Sequence, residues 1–136
     1  RGGAFPKVEA STLKNDLFRR DFTINAMAIS INHKDFGFLV DPFKGCKDLK
    51  AKKLRVLHEN SFGDDPTRIL RAARFMARFG LVLEIKTAKS LKKSIQEGVL
   101  DTIKTQRYQK DLNKILKEKT SKKAIEYLKK WQAYRG

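Results

Sequence analysis

The chain has 136 residues, with 31 Lys plus Arg against 15 Asp plus Glu, a formal net charge of +16. Its 40% hydrophobic content supports a modest core at this length, one domain or parts of two small ones, and excludes a wholly disordered basic tail. No apolar run reaches the roughly 18 residues of a spanning helix, and the single cysteine, Cys46, excludes a disulfide scaffold and a Cys-based zinc site.

In chain order, residues 1–12 read as an extended lead-in, with Gly2, Gly3 and Pro6 against helix. Ser11 or Thr12 is a candidate cap for a short helix through LKNDLFRR. INAMAISIN, residues 24–32, suits a buried helix or a strand, and its β-branched end, Ile29 to Ile31, favours strand. His33-Lys34-Asp35 is a polar turn, and Phe36 to Val40 reads as a second strand, which makes a hairpin ended by Asp41-Pro42. A turn at Gly45, a short helix near 46–51 and the apolar patch LRVL follow. From Ser61 the period changes. Asp65-Pro66 starts a helix, Asp at the N-cap and Pro at the first helical position. Ile69, Ala73, Met76 and Phe79 form its apolar face, and Gly80 ends it. Further helices are expected near 86–96, 105–118 and 121–133. The pattern predicts an α+β chain: a short α/β piece over 1–59, then a helical bundle over 60–136.

The charge is spread along the chain, net +7 over residues 1–83 and net +9 over 84–136. It predicts a polyanionic partner, nucleic acid foremost. The clustered arginines lie between 19 and 78, and the later cations are mostly lysine. Lysine in number suits non-specific phosphate contact; arginine at fixed spacing suits directed hydrogen bonds.

Two constellations carry chemistry. In Arg19-Arg20-Asp21-Phe22-Thr23-Ile24-Asn25, polar groups run straight into an apolar segment. Arginine forks suit phosphate oxygens, and Asp with Asn suits ribose hydroxyls. An ordinary Arg–Asp pair beside a capped helix end is the competing reading. In the second, Arg68, Arg71, Arg74 and Arg78 follow Asp64-Asp65-Pro66-Thr67. Each three-residue step falls back by about 60°, so these arginines form a winding stripe. Asp65 beside Arg68 suits the hydrogen-bonding edge of a base, with the other arginines near phosphates. Here the competing reading is a simple N-cap on a solvated basic helix. Phe18, Phe22, Phe36, Phe38 and Phe43 suit either base stacking or, more commonly, a core.

RRDFTINAMAI, LVDPFKGCKDL, LRVL and SFGDDPTRILRAARFMARFG, in this order and spacing, resemble the bacterial class II tRNA nucleotidyltransferase and poly(A) polymerase family, whose best-known members are the CCA-adding enzymes. The resemblance is close over about residues 8–80 and continues weakly from Thr105 to Leu116. It implies the distal part of a nucleotidyltransferase head followed by a helical neck. By the same resemblance Arg20, Asp21 and Asn25 recognise ribose and help bind the nucleotide. Asp65 and Arg68 act as a template for the incoming base, Arg71 and Arg74 make further nucleotide contacts, and Arg107 and Asp111 brace helices. Asp41 to Gly45 and Asp48 match the flexible connection between head and neck. The implied partners are the tRNA 3′ end, CTP and ATP, and the implied cofactor is Mg²⁺. A cytoplasmic setting is expected. A poly(A) polymerase of the same family, or a non-catalytic basic RNA-binding module, is the alternative.

The chain departs from the family pattern in two places. Asp64-Asp65 stands where Glu-Asp is usual, with the second acid kept. More importantly, the family's Gly-Gly segment and the Asp-x-Asp pair that hold two Mg²⁺ ions do not occur in this sequence; Gly2-Gly3 lacks the required context, and Glu9 is weak as a ligand. The sequence also has no initiator Met and reads as a fragment or processed chain. The expected outcome is that these 136 residues alone add no nucleotide to tRNA. A tRNA-dependent incorporation assay checks this, and any incorporation would refute it.

Overall fold

The computed structural model describes residues 12–136. The expected lead-in with Gly2, Gly3 and Pro6, together with Glu9 and Ser11, lies outside the described residues. The fold is α+β and mostly helical. A first helix, α1, covers 12–18. A 3₁₀ turn over Thr23–Asn25 leads to strand β1 (Ala28–Ile29), which pairs antiparallel with β2 (Leu39–Val40). Helix α2 (Gly45–Lys50), strand β3 (Lys53–Leu54) and the short helix α3 (Ser61–Asp64) follow. The helical part holds α4 (Arg68–Phe79), β4 (Val82–Leu83), α5 (Ile85–Gln96), α6 (Thr105–Leu116) and α7 (Ser121–Lys130).

Helix α4 is the centre. Ile69, Leu70, Ala72, Ala73, Phe75, Met76 and Ala77 are all buried, so apolar side chains occupy most of its circumference. It packs chiefly against α7, and also against α6 and α3. Small alanines at 72, 73 and 77 let those neighbours approach closely. Gly80 ends the helix as expected, at φ +66°, with the Leu81 N–H returning to the Met76 carbonyl. Phe79 is a correction: it is 40% exposed and stacks on Phe75 at the rim of the core. The core is continuous, and Phe22, Ile24 and Leu54 belong to the same cluster as Phe62, Leu112 and Leu128.

The hairpin is present but shorter than expected, two residues per strand. Phe36 and Phe38 are exposed, as are Ile29 and Ile31, which corrects the reading of the clustered phenylalanines as core. A two-stranded ribbon has one layer, and among the described residues no second layer covers these side chains. Phe22 does enter the core, fully buried. Strand β4 carried no legible signal. It pairs parallel with β3, Lys53 opposite Val82 and Leu54 opposite Leu83.

Two acids order the segment around α2. Asp41 caps α2, its oxygens accepting the N–H groups of Gly45 at 2.7 Å and Cys46 at 3.0 Å. Buried Asp48 accepts the Thr23 hydroxyl at 2.6 Å and Arg55 Nε at 3.0 Å. Arg55 also reaches Glu84, the N-cap of α5, at 3.5 Å. Glu84 accepts the backbone N–H groups of Lys86 and Thr87 and the Thr87 hydroxyl. Close packing is also needed under α2, where a Cβ on Gly45 would lie 2.1 Å from the Thr23 carbonyl oxygen.

Two outcomes follow. Gly45→Ala is expected to cost roughly 2–3 kcal/mol or more, because backbone would have to move; urea denaturation measures it. For Glu84, burial pushes the carboxyl pKa up, but the Lys86 and Thr87 hydrogen bonds and the Arg55 charge together hold it below the ordinary glutamate value. Its stabilisation is therefore complete above the unfolded-state pKa, near 4.3, and is lost as the pH falls through the lower folded-state value. Glu84→Gln is expected to cost about 1 kcal/mol at neutral pH, the worth of a cap, with the gap to the parent closing in acid. A gap that stays constant across the acid range would contradict this.

Candidate functional site

A cleft of about 790 Å³ opens between the 20–25 turn, the start of α4 and one face of α6. It gathers six of the seven expected site residues: Arg20, Asp21, Asn25, Asp65, Arg68 and Arg71. The seventh, Arg74, is not on its wall. The Arg74 guanidinium pairs with Glu118, beyond the end of α6, and lies 5.5 Å from the Phe75 ring centre. The winding of the stripe accounts for this, since two three-residue steps carry Arg74 about 120° from Arg68.

Asp21 organises one end. It is buried, and Oδ1 accepts the Phe22 N–H at 2.8 Å and Asn25 Nδ2 at 3.1 Å. Oδ2 takes Arg71, with Nε at 2.6 Å and Nη2 at 2.5 Å. This side-on grip leaves Nη1 of Arg71 without a protein acceptor among the described residues. Arg68 is held differently. Nη1 donates to the Ser61 hydroxyl at 2.9 Å and the Ser61 carbonyl at 3.2 Å, and Nη2 donates to the Arg19 carbonyl at 2.9 Å. A guanidinium has five N–H groups, so donors remain for a ligand. Arg20 pairs loosely with Asp16 at 3.6 Å and stays half exposed.

Asp65 is both a cap and a wall residue. Oδ1 accepts the Thr67 N–H at 3.2 Å and the Thr67 hydroxyl at 2.6 Å. The regular helix starts at Arg68 rather than at Pro66, with Asp65 to Thr67 forming the capped entry turn. The Asp65 and Arg68 side chains do not bond to each other, although the Arg68 N–H donates to the Asp65 carbonyl at 3.0 Å. Arg107 instead reaches from α6 to both Asp65 oxygens, at 3.2 and 3.3 Å.

Sequence reasoning missed the α6 wall. Gln106, Arg107, Lys110, Asp111 and Lys114 all line the cleft, as do Thr67 and Phe75. Arg107, Lys110 and Lys114 recur at helical spacing on one face, and that was the available signal. Arg107, expected as a brace, does bridge α6 to the α4 entrance, and it does so across the cleft. With six cationic and three acidic wall residues, the site attracts a polyanion. Its fixed arginine forks suit phosphate oxygens, and its remaining carboxylate acceptor suits an amino group on a base. Among the described residues, no three His, Cys, Asp or Glu side chains gather as a metal would require. No helix among them is long and apolar enough to cross a membrane.

In sequence and fold the chain is similar to known proteins. The Poly A polymerase head domain model matches residues 3–55. The A-adding tRNA nucleotidyltransferase of Aquifex aeolicus (strain VF5) is 47% identical over 132 residues, 97% of this chain and 16% of that protein. A solved CCA-adding enzyme in complex with ATP superposes with a TM-score of 0.90 at 51% identity, over 93% of this chain and 31% of that one. A CCA-adding enzyme in complex with CTP gives 0.89 at 51% identity, over 96% and 31%. The chain thus spans about a sixth of the relative and about a third of each solved enzyme.

Proposed function

We infer, for a chain whose sequence and fold are those of a segment of the tRNA nucleotidyltransferase and poly(A) polymerase family, that its cleft binds the nucleotide to be added to a tRNA 3′ end. Asp65 and Arg68 present acceptor and donor to the base edge. Asp21 and Asn25 hold the ribose side, and Arg20 and Arg71 take phosphates. Arg74 acts indirectly, by securing α4 to Glu118. We assign residues 1–59 to the distal head and 60–136 to the neck, which puts the cleft between them, and we place the whole protein in the cytoplasm with its tRNA. The substrates are CTP and ATP, and the product is a tRNA extended by C, A or both. The observation that carries this reading is the meeting of Asp65 and Arg68 with the Asp21–Arg71 pair in one cationic cleft.

Mg²⁺ would supply charge neutralisation at the reacting phosphates in the whole enzyme. The described residues do not offer it a ligand set, so no chemical step on this chain is drawn through it. The chain's own residues bind, orient and select.

The test is equilibrium binding of the four nucleoside triphosphates. CTP and ATP are expected to bind about tenfold more tightly than UTP and GTP, within the range of one good bidentate base contact. Asp65→Ala and Arg68→Ala are expected to erase that preference and leave residual triphosphate binding. Equal affinity for all four, falling steeply with salt, would overturn the reading in favour of a non-specific basic RNA-binding module.

A further inference from the structure

The Asp65 carboxylate is unequally filled. Oδ1 takes three donors: the Thr67 N–H at 3.2 Å, the Thr67 hydroxyl at 2.6 Å and Arg107 Nη2 at 3.3 Å. Oδ2 takes one, the same Arg107 Nη2 at 3.2 Å. Each carboxylate oxygen has about two lone-pair directions, so Oδ1 is saturated and Oδ2 keeps one free.

Exposure separates the two partners of the short bond. Thr67 is 3% exposed, whereas the Asp65 side chain is 28% exposed. The hydroxyl that holds the carboxylate is shielded from water, and the carboxylate itself stays within reach of a ligand. The backbone beneath is stiff: Pro66 fixes its own φ, and Thr67 is already helical at φ −63° and ψ −16°. The carboxylate torsion is a broad two-fold one, so without a local lock the group would turn and offer its acceptors in several directions. The hydroxyl bond to Oδ1 is the shortest of the four contacts and the only one from a shielded side chain.

We propose that Thr67 is a positioning residue for base selection, locking the Asp65 carboxylate so that Oδ2 presents a single acceptor into the cleft. That acceptor fits the exocyclic amino group of cytosine or adenine. Uracil places a carbonyl oxygen at the same edge, where it meets the fixed carboxylate lone pair and is repelled. The selectivity thus depends on orientation as well as on charge. This inference rests on the reading of Asp65 as the base-contacting acid.

The experiment compares CTP and UTP affinity for the 136-residue chain, the Thr67→Val variant and the Thr67→Ser variant. Valine keeps the shape and removes the hydroxyl; serine restores the hydroxyl. Thr67→Val is expected to weaken CTP binding roughly tenfold, the worth of one hydrogen bond to a charged group, and to leave UTP binding unchanged. Thr67→Ser is expected to restore the CTP preference. If CTP and UTP weaken together in Thr67→Val, Thr67 supports only the fold and the inference fails. If the CTP preference survives in Thr67→Val, the lock is not needed and the inference fails. An unmodified chain that does not distinguish CTP from UTP would sink the base-contacting role of Asp65 itself, and this inference with it. That result is read before either variant is compared.

Discussion

The buried carboxylate of Asp21 constrains everything around it. An ionised acid that is only 6% exposed must have its oxygens filled, because leaving such a charge unpaired costs several kcal/mol. Its neighbours fill them from three directions: the next backbone N–H, the Asn25 amide and the Arg71 guanidinium. The first two close the 20–25 turn on itself. The third ties that turn to α4, fifty positions along the chain. Since α4 is the helix the bundle packs around, one ion pair places a polar loop against the core and fixes the cleft wall at once. Arg68 repeats the link one turn earlier, through the Arg19 and Ser61 carbonyls. Asp48 does similar work behind the turn, joining Thr23 to Arg55.

These bonds decide what the cleft can offer. An arginine already held by protein acceptors has lost most of its rotamer freedom, so binding a ligand costs less ordering entropy. Arg71 spends Nε and Nη2 on Asp21, and Arg68 spends three donors on carbonyl and hydroxyl groups. Both keep donors in reserve. Asp65 follows the same logic as an acceptor, filled on one oxygen and open on the other.

The legible parts of the structure were those encoded locally. Helix α4 is announced by Pro66, by its apolar period and by Gly80. The cleft residues on the turn and on α4 sit in two compact motifs, and both are found. The α6 wall was harder, because Arg107 meets Asp65 across 42 positions and only the packing of α6 on α4 brings them together. Arg74 shows the opposite failure. Its place in a regular arginine series suggests a shared role, yet the helical phase turns it toward Glu118. Strands β3 and β4 are two residues each, too short for any alternation to register, and they are brought together across the two helices α3 and α4. The phenylalanines of the hairpin show that apolar character alone does not determine burial; a second layer is also required.

Arginine and lysine divide the work of a +16 chain. Arg68, Arg71 and Arg107 line the cleft, and each is anchored by a protein acceptor. The lysines of α5 and α7 are mostly exposed on the outer surface, and none has a carboxylate within 4.0 Å among the described residues. A planar fork can be held by one acceptor and still present further donors in a fixed direction, which an ammonium on a flexible stem does not do. Fixed donors discriminate between ligands that differ by one hydrogen bond. Solvated ammonium groups attract any phosphate chain, and salt screens them readily. On the proposed reading the chain separates selection from attraction: Arg68 beside Asp65 selects the base, the other anchored arginines fix the phosphates, and the exposed lysines set how strongly a polyanion is drawn toward the cleft.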